Sequence, residues 1–269
     1  MIFNISMPVL KPKGPTASLT AQSGITYTNG IFGISAEKMS LYAELISNNA
    51  SITNKTSIVY IDDGANHYKV SIGDQVTLSL NGTNYSFDVI GFNHDTLTTS
   101  AAYGANTKTG KAGITFQMHD LFATYYPMNS SNTNSGGWKN SAMRTSTMAT
   151  MKNYLPSAWQ TVIKPVNKAS GTGGGSTIGT EIVSDNCFLL SEIEIFGSTE
   201  YSVTGEGTQY AYYKAGNSKV KNHLNDSDHW WTRSTNPGTS DDFCHVFLLG
   251  TASRAYAKLS YGVAFGFCV

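Results

Sequence analysis

The chain has 269 residues, a formal net charge of zero, 40% hydrophobic residues and only 13% charged ones. That length suits one large domain, or a domain with an extension, and the apolar fraction supports a packed core. Zero net charge gives no basic footprint for nucleic acid, no run reaches the ~18 apolar residues of a membrane span, and the start lacks a secretory signal.

Residues 1–34 are rich in Pro, Gly and Thr, with short strand-like pieces. Ser35 is a good helix N-cap, and Met39, Leu41, Tyr42, Leu45 and Ile46 follow at helical spacing. Ser57 to Ile61 reads as a short strand. Val76–Leu80 and Tyr85–Ile90 alternate with period two around Asn81-Gly82, which predicts a hairpin. Ile114–Met118 is a further strand, leading into a short helix over His119 to Thr124. Ser141 to Tyr154 is the second main helix, and Pro156 breaks or restarts it. Gly171 to Ser176 reads as a flexible loop, without the Gly-Lys-Ser/Thr ending of a phosphate loop.

Phe188 to Gly197 reads as a strong strand. Three short strands finish the chain: Trp230–Arg233, Phe243–Leu248 and Val263–Val269. This order predicts an α+β fold with two main helices, long loops and both chain ends in one sheet. Residues 1–65 form an N-terminal extension for attachment or oligomerisation, and residues 66–269 the main domain.

Candidate chemistry is sparse. His94-Asp95 and His119-Asp120 pair a base with a carboxylate, but no third ligand follows at metal-binding spacing, so both are assigned to loop hydrogen bonds and helix capping. Glu192 and Glu194, two apart on a strand, would share a face. A salt bridge to Arg144 or Arg233 fits them better than acid–base catalysis. Of the adjacent Trp230 and Trp231, at least one anchors the core, and the other is either core as well or an exposed ligand platform. Cys187, Cys244 and Cys268 are read as buried thiols, with a Cys244–Cys268 disulfide as the alternative. No catalytic residue, metal site or cofactor is assigned.

Several motifs together resemble the DUF6273 family of Firmicutes and their phages, from about Val70 to Val269. They are Ser71-Ile72-Gly73-Asp74, Gly91-Phe92-Asn93-His94-Asp95, Gly113-Ile114-Thr115-Phe116, Asn132-Thr133-Asn134 with Gly136-Gly137-Trp138, and Met143-Arg144. Phe188 to Gly197, Trp230-Trp231-Thr232-Arg233-Ser234 and Gly262 to Val269 complete the set. The family is similar to C-type-lectin-like and formylglycine-generating-enzyme-like folds, which implies a lectin-like domain over residues 66–269. The enzyme branch uses a cysteine pair, and no matching motif surrounds Cys244 and Cys268.

The closing segment also looks like the variable region of a protein diversified by a retroelement. Asn codons randomised at adenines yield residues of the types found between Thr232 and Tyr261. The resemblance thus implies a ligand face within residues 230–261. It comprises Thr232, Asn236, Asp241, His245, Phe247, Leu248, Leu249, Thr251, Ser253, Arg254, Tyr256 and Tyr261. The implied partner is a protein or glycan on a cell surface, and the implied setting a virion or cell surface reached by lysis or a non-classical route. A homo-oligomer is expected, with a trimer suited to a fibre tip. A structural virion decoration protein and an enzyme of the related fold are the alternatives.

Overall fold

The computed structural model describes residues 28–31, 33–63, 65–99, 103, 107–175 and 179–269. The strand-like pieces expected before residue 28, and Ser176 of the expected flexible loop, lie outside these residues.

The first elements are β1 (Thr28–Asn29), α1 (Ala36–Ser47), β2 (Ile58–Asp62) and β3 (His67–Ser71). Ser35 caps α1 by accepting from the Lys38 amide at 3.3 Å, as its residue type predicts. The helix buries Met39, Tyr42, Ala43 and Ile46. The expected boundary at residue 65 falls between β2 and β3, which pair from Ile58↔Ser71 to Asp62↔His67. Buried side chains of α1 and β2 belong to the same apolar cluster as the rest of the domain.

The central sheet uses β4 (Gln75–Leu80), β5 (Thr83–Phe92), β6 (Ile114–Met118), β9 (Cys187–Phe188) and β15 (Gly266–Cys268), in the order β4-β5-β6-β15-β9. The β4–β5 hairpin turns at Asn81 (φ 48°) and Gly82 (φ 87°), the paired positive φ values of a type I′ turn. β15, near the C-terminus, lies inside this sheet, whereas β1 sits in a separate sheet of order β1-β3-β2. The first described strand, β1, therefore does not share a sheet with β15, and the N-terminal end that was expected to join it lies outside the described residues. β7 (Val166–Gly171) and β8 (Thr180–Asp185) form a two-stranded ribbon.

Several local expectations change. His119 to Thr124 is not helical, because its amides are taken by distant carbonyls: His119 by Ser86, Leu121 by Asn222 and Phe122 by Val263. The second main helix is segmented into α2 (Gly137–Asn140), a π-helical turn (Met143–Thr147) and α3 (Met148–Tyr154). After Pro156 the chain resumes as α4 (Ser157–Val162). The expected strand over Phe188 to Gly197 stops at Phe188 and becomes α5 (Glu192–Phe196). The reason is a capping box: the Ser191 hydroxyl accepts from the Glu194 amide, and the Glu194 carboxylate accepts from the Ser191 amide. Gly197, at φ 78°, then ends the helix with a left-handed cap.

The remaining elements are α6 (Ala211–Lys214), a β10 (Lys221–His223) and β11 (Asp226–Asp228) hairpin, and a sheet of β12 (Trp230–Thr235), β13 (Asp242–Val246) and β14 (Ala252–Tyr256) in that order. The last of these, β14, was not anticipated, and Phe247 to Leu249 form the connecting turn rather than strand. The glycine-rich loop is partly packed in place: a Cβ on Gly173 would lie 1.7 Å from the Asn134 carbonyl oxygen.

Gly113, just before β6 of the central sheet, touches α1 so closely that a Cβ there would fall 2.0 Å from the Ala43 carbonyl oxygen. Gly113→Ala should therefore push α1 off the sheet. Urea unfolding should register a loss of about 1–3 kcal/mol, the usual cost of overpacking; an unchanged midpoint would show that α1 is not held at this point.

Candidate functional site

β12 and β13 are buried along their whole length, on both faces. Trp230 and Trp231 are each 0% exposed, so neither forms a surface platform. Each indole N–H still finds a partner: Trp230 donates to the Lys219 carbonyl at 3.0 Å and Trp231 to the Tyr126 carbonyl at 2.9 Å. β14 alternates between half-buried and exposed positions and forms the sheet edge.

The twelve residues of the expected face fall into three groups. Thr232, Asn236 and His245 are buried. Thr232 donates to the Cys244 carbonyl at 2.9 Å, and Asn236 Oδ1 accepts from the Gly238 amide at 2.6 Å. Both are therefore part of the frame. His245 packs beside His229, Trp231 and Tyr261, and burial followed by the neighbouring His229 pushes its pKa down to about 3. Asp241, Phe247, Leu248, Ser253 and Tyr261 are half-buried. Leu249, Thr251, Arg254 and Tyr256 are exposed, Leu249 at 69% and Tyr256 at 51%. Arg254, itself exposed, reaches the buried Asp242 carboxylate of β13 at 2.7 Å.

Behind this sheet lies a buried ionic chain. Arg233 on β12 binds Glu194 of α5 through both terminal nitrogens, at 2.5 and 2.9 Å. Its other hydrogens go to the carbonyls of Ala169, Leu189 and Glu206, so all five guanidinium donors are used. Lys168 on β7 gives its three hydrogens to Asp95 (2.7 Å), Glu194 (2.8 Å) and the Tyr210 hydroxyl (3.0 Å). Asp95 also accepts from Thr115 at 2.6 Å. Burial alone would raise the Asp95 and Glu194 carboxyls. The facing Lys168, joined at Glu194 by Arg233, overrides it and holds both below the ordinary carboxylate range.

Glu206 is the exception. It accepts from the Gly171 amide at 2.6 Å and from the Ser234 hydroxyl, yet burial, with the Glu194 charge adding to it, raises its pKa to about 7. Gly205 (φ 96°) and Gly207 (φ 118°) flank it. At Gly207 a Cβ would meet Glu194 Oε1 at 3.0 Å. That Gly-Glu-Gly triplet was the one local signal of this inward-turned acid.

The expected pairing of Glu194 with Arg233 is present, whereas Arg144 binds Asp185 at 2.7 Å. Glu192 instead accepts from the Glu200 and Tyr201 amides, each at 3.1 Å. The helical turn removes the shared face expected of Glu192 and Glu194. Asp95 belongs to the ionic chain rather than to a loop cap, and His119 binds Asp88 at 2.9 Å. All three cysteines are buried free thiols. Cys244 and Cys268 lie in different sheets, and burial raises both thiols well above their ordinary range.

His94, Asp95 and Glu194 bring ligand atoms within 4.8 Å of one another. The Lys168 ammonium already sits between the two carboxylates, so a metal ion would have to displace it. The trio fits an ion pair better than a cation centre.

The fold is thus an α+β domain of small, mostly antiparallel sheets stitched by buried charges. The chain belongs to the DUF6273 family, described as a domain of unknown function, whose family model matches residues 112–269. The motifs at Ser71–Asp74 and Gly91–Asp95 precede that stretch. No curated protein and no solved structure matches the chain.

Lys168→Met leaves Asp95 and Glu194 short of a buried counter-charge, and chemical denaturation should show a loss of about 3–5 kcal/mol. A loss under 1 kcal/mol would mean the ammonium is not needed. Glu206 carries a raised folded-state pKa, so its protonated form stabilises the fold below the unfolded value near 4.5, and that contribution is lost as pH rises to about 7. The stability of the wild type relative to Glu206→Gln should fall across this window and level off above it. A flat difference from pH 4 to 8 would contradict the assignment.

Proposed function

We propose that the chain is a ligand-recognition module of C-type-lectin-like architecture, displayed on a virion or cell surface, whose C-terminal face contacts a protein or glycan. The observation that carries this reading is the division within the last sheet. β12 and β13 bury every side chain, while β14 and the turn before it present Leu249, Thr251, Arg254 and Tyr256 to solvent. Such a division lets surface residues change at little cost to the fold, since substitutions away from buried features usually stay within about 0.5 kcal/mol. Exposed Leu249 and Tyr256 are a poor choice for an inert surface and a good one for contact.

Diversification by a retroelement fits the same division, because it would act on codons whose products do not hold the frame. Thr232, Asn236 and His245 then serve as inward-facing support for the face. A trimer at a fibre tip would place several faces side by side and multiply weak contacts. Saturation of Arg233 and Lys168 by internal partners supports a structural role for the buried charges and gives the enzyme alternative no free catalytic group there.

The variant L249A/T251A/Y256A should keep the wild-type melting temperature within a few degrees and lose binding of the labelled chain to Firmicutes cell envelopes. Undiminished binding would remove the face. In the DNA, a near-copy of the segment encoding residues 230–269, differing at adenines beside a reverse transcriptase gene, is the expected mark of diversification.

A further inference from the structure

Two adjoining hollows lie away from the C-terminal sheet edge. One, of about 400 Å³, has Thr96, Asn167 and Thr208 on its walls and the Glu206 loop as its floor. The other, of about 330 Å³, is walled by Thr53, Asn54, Thr109 and Lys108. His94 and Lys111 line both and form the ridge between them.

Three features of this groove call for an occupant. First, Asn93 is only 4% exposed, lines the smaller hollow and has a side-chain oxygen with no partner. Its amide nitrogen donates to the carbonyls of Ile46 (2.9 Å) and Ile52 (2.8 Å), which fixes the orientation and leaves the oxygen as a bare acceptor. Asn93 also holds φ at 44°, a left-handed conformation that non-glycine residues seldom adopt. Second, the adjacent His94 Nδ1 is buried without a partner, with the ring fixed by stacking on Tyr210 at 3.9 Å. Third, the charges are unequal. Asp95, Glu194 and Glu206 are bonded inward, whereas Lys108 and Lys111 have no carboxylate partner among the described residues. The Lys111 ammonium donates to the Thr96 hydroxyl, at 2.7 Å.

A free acceptor seeks a hydroxyl, two ammonium groups without a carboxylate seek an anion, and amide and hydroxyl walls seek further hydroxyls. Volumes of this size hold a single sugar ring each. We infer that the groove around Asn93, His94 and Lys111 is a binding site for a hydroxyl-rich organic anion of sugar-acid size. The carboxylate lies toward Lys108 and Lys111, and ring hydroxyls reach Asn93 Oδ1 and His94. This site is separate from the proposed C-terminal face and stands without it.

Titration of the full chain with D-glucuronate, followed by ligand-observed NMR and calorimetry, tests the assignment. Saturable binding is expected, with the neutral methyl glucoside at least about tenfold weaker, the loss of one charge-assisted contact. K108Q/K111Q, altered only at the rim, should weaken glucuronate by about tenfold or more at an unchanged melting temperature. H94Q should weaken both sugars. L249A/T251A/Y256A should bind glucuronate like the wild type, which separates this groove from the other face. No saturable glucuronate binding, equal affinity for the neutral glucoside, or full affinity in K108Q/K111Q would each overturn the inference.

Discussion

The fold depends on the pair of cations, Arg233 and Lys168, that meet at one carboxylate. Glu194 receives both, and Asp95 takes the other side of Lys168. Desolvating four charges is costly, and such a cluster is tolerable only when charges cancel and every donor finds an acceptor. Both conditions hold here: two cations face two carboxylates, and all eight hydrogens of the guanidinium and ammonium groups are placed. Glu206, kept nearer neutrality by burial, adds an acceptor without adding a full fifth charge below pH 7. The cluster also joins β12, α5, β7 and the segment after β5, so it fixes how the last sheet, the ribbon and the central sheet meet. The apolar core supplies the driving force and these directional bonds supply the register.

That anchoring explains how an exposed edge can be placed on a buried support. Arg233 sits in β12, a strand whose six residues are all buried. β13 is held between β12 and β14 and is equally buried. Variation at β14 or its leading turn therefore touches neither the ionic chain nor the tryptophans. A change at Thr232 or His245 enters the packed interior and carries a stability cost that one at Thr251 or Tyr256 does not.

Part of the site was legible beforehand. The pairing of Glu194 with Arg233 was among the expected partners. Lys168, Tyr210 and Glu206 were not singled out, because their roles come from contacts between residues far apart in the chain: 73 residues separate Lys168 from Asp95, and 26 separate it from Glu194. The error over Phe188 to Gly197 has a different origin. Alternating Ile and Glu imitates a strand, and the reciprocal bonds of Ser191 and Glu194 outweigh that pattern within one turn.

The sequence by itself determined the features that rest on neighbours: the cap at Ser35, the Asn81-Gly82 turn, the period of the β4–β5 hairpin and the interruption at Pro156. These follow from backbone conformations and hydrogen bonds a few residues long, which residue type specifies directly. Only the tertiary structure decided that both tryptophans are buried, that His119 to Thr124 gives its amides to distant carbonyls instead of a helix, and that Asp95, Lys168, Glu194 and Arg233 form one chain of charge. Burial depends on what covers the second face of a strand, and an ion pair on which elements are brought together. Neither is written in local spacing.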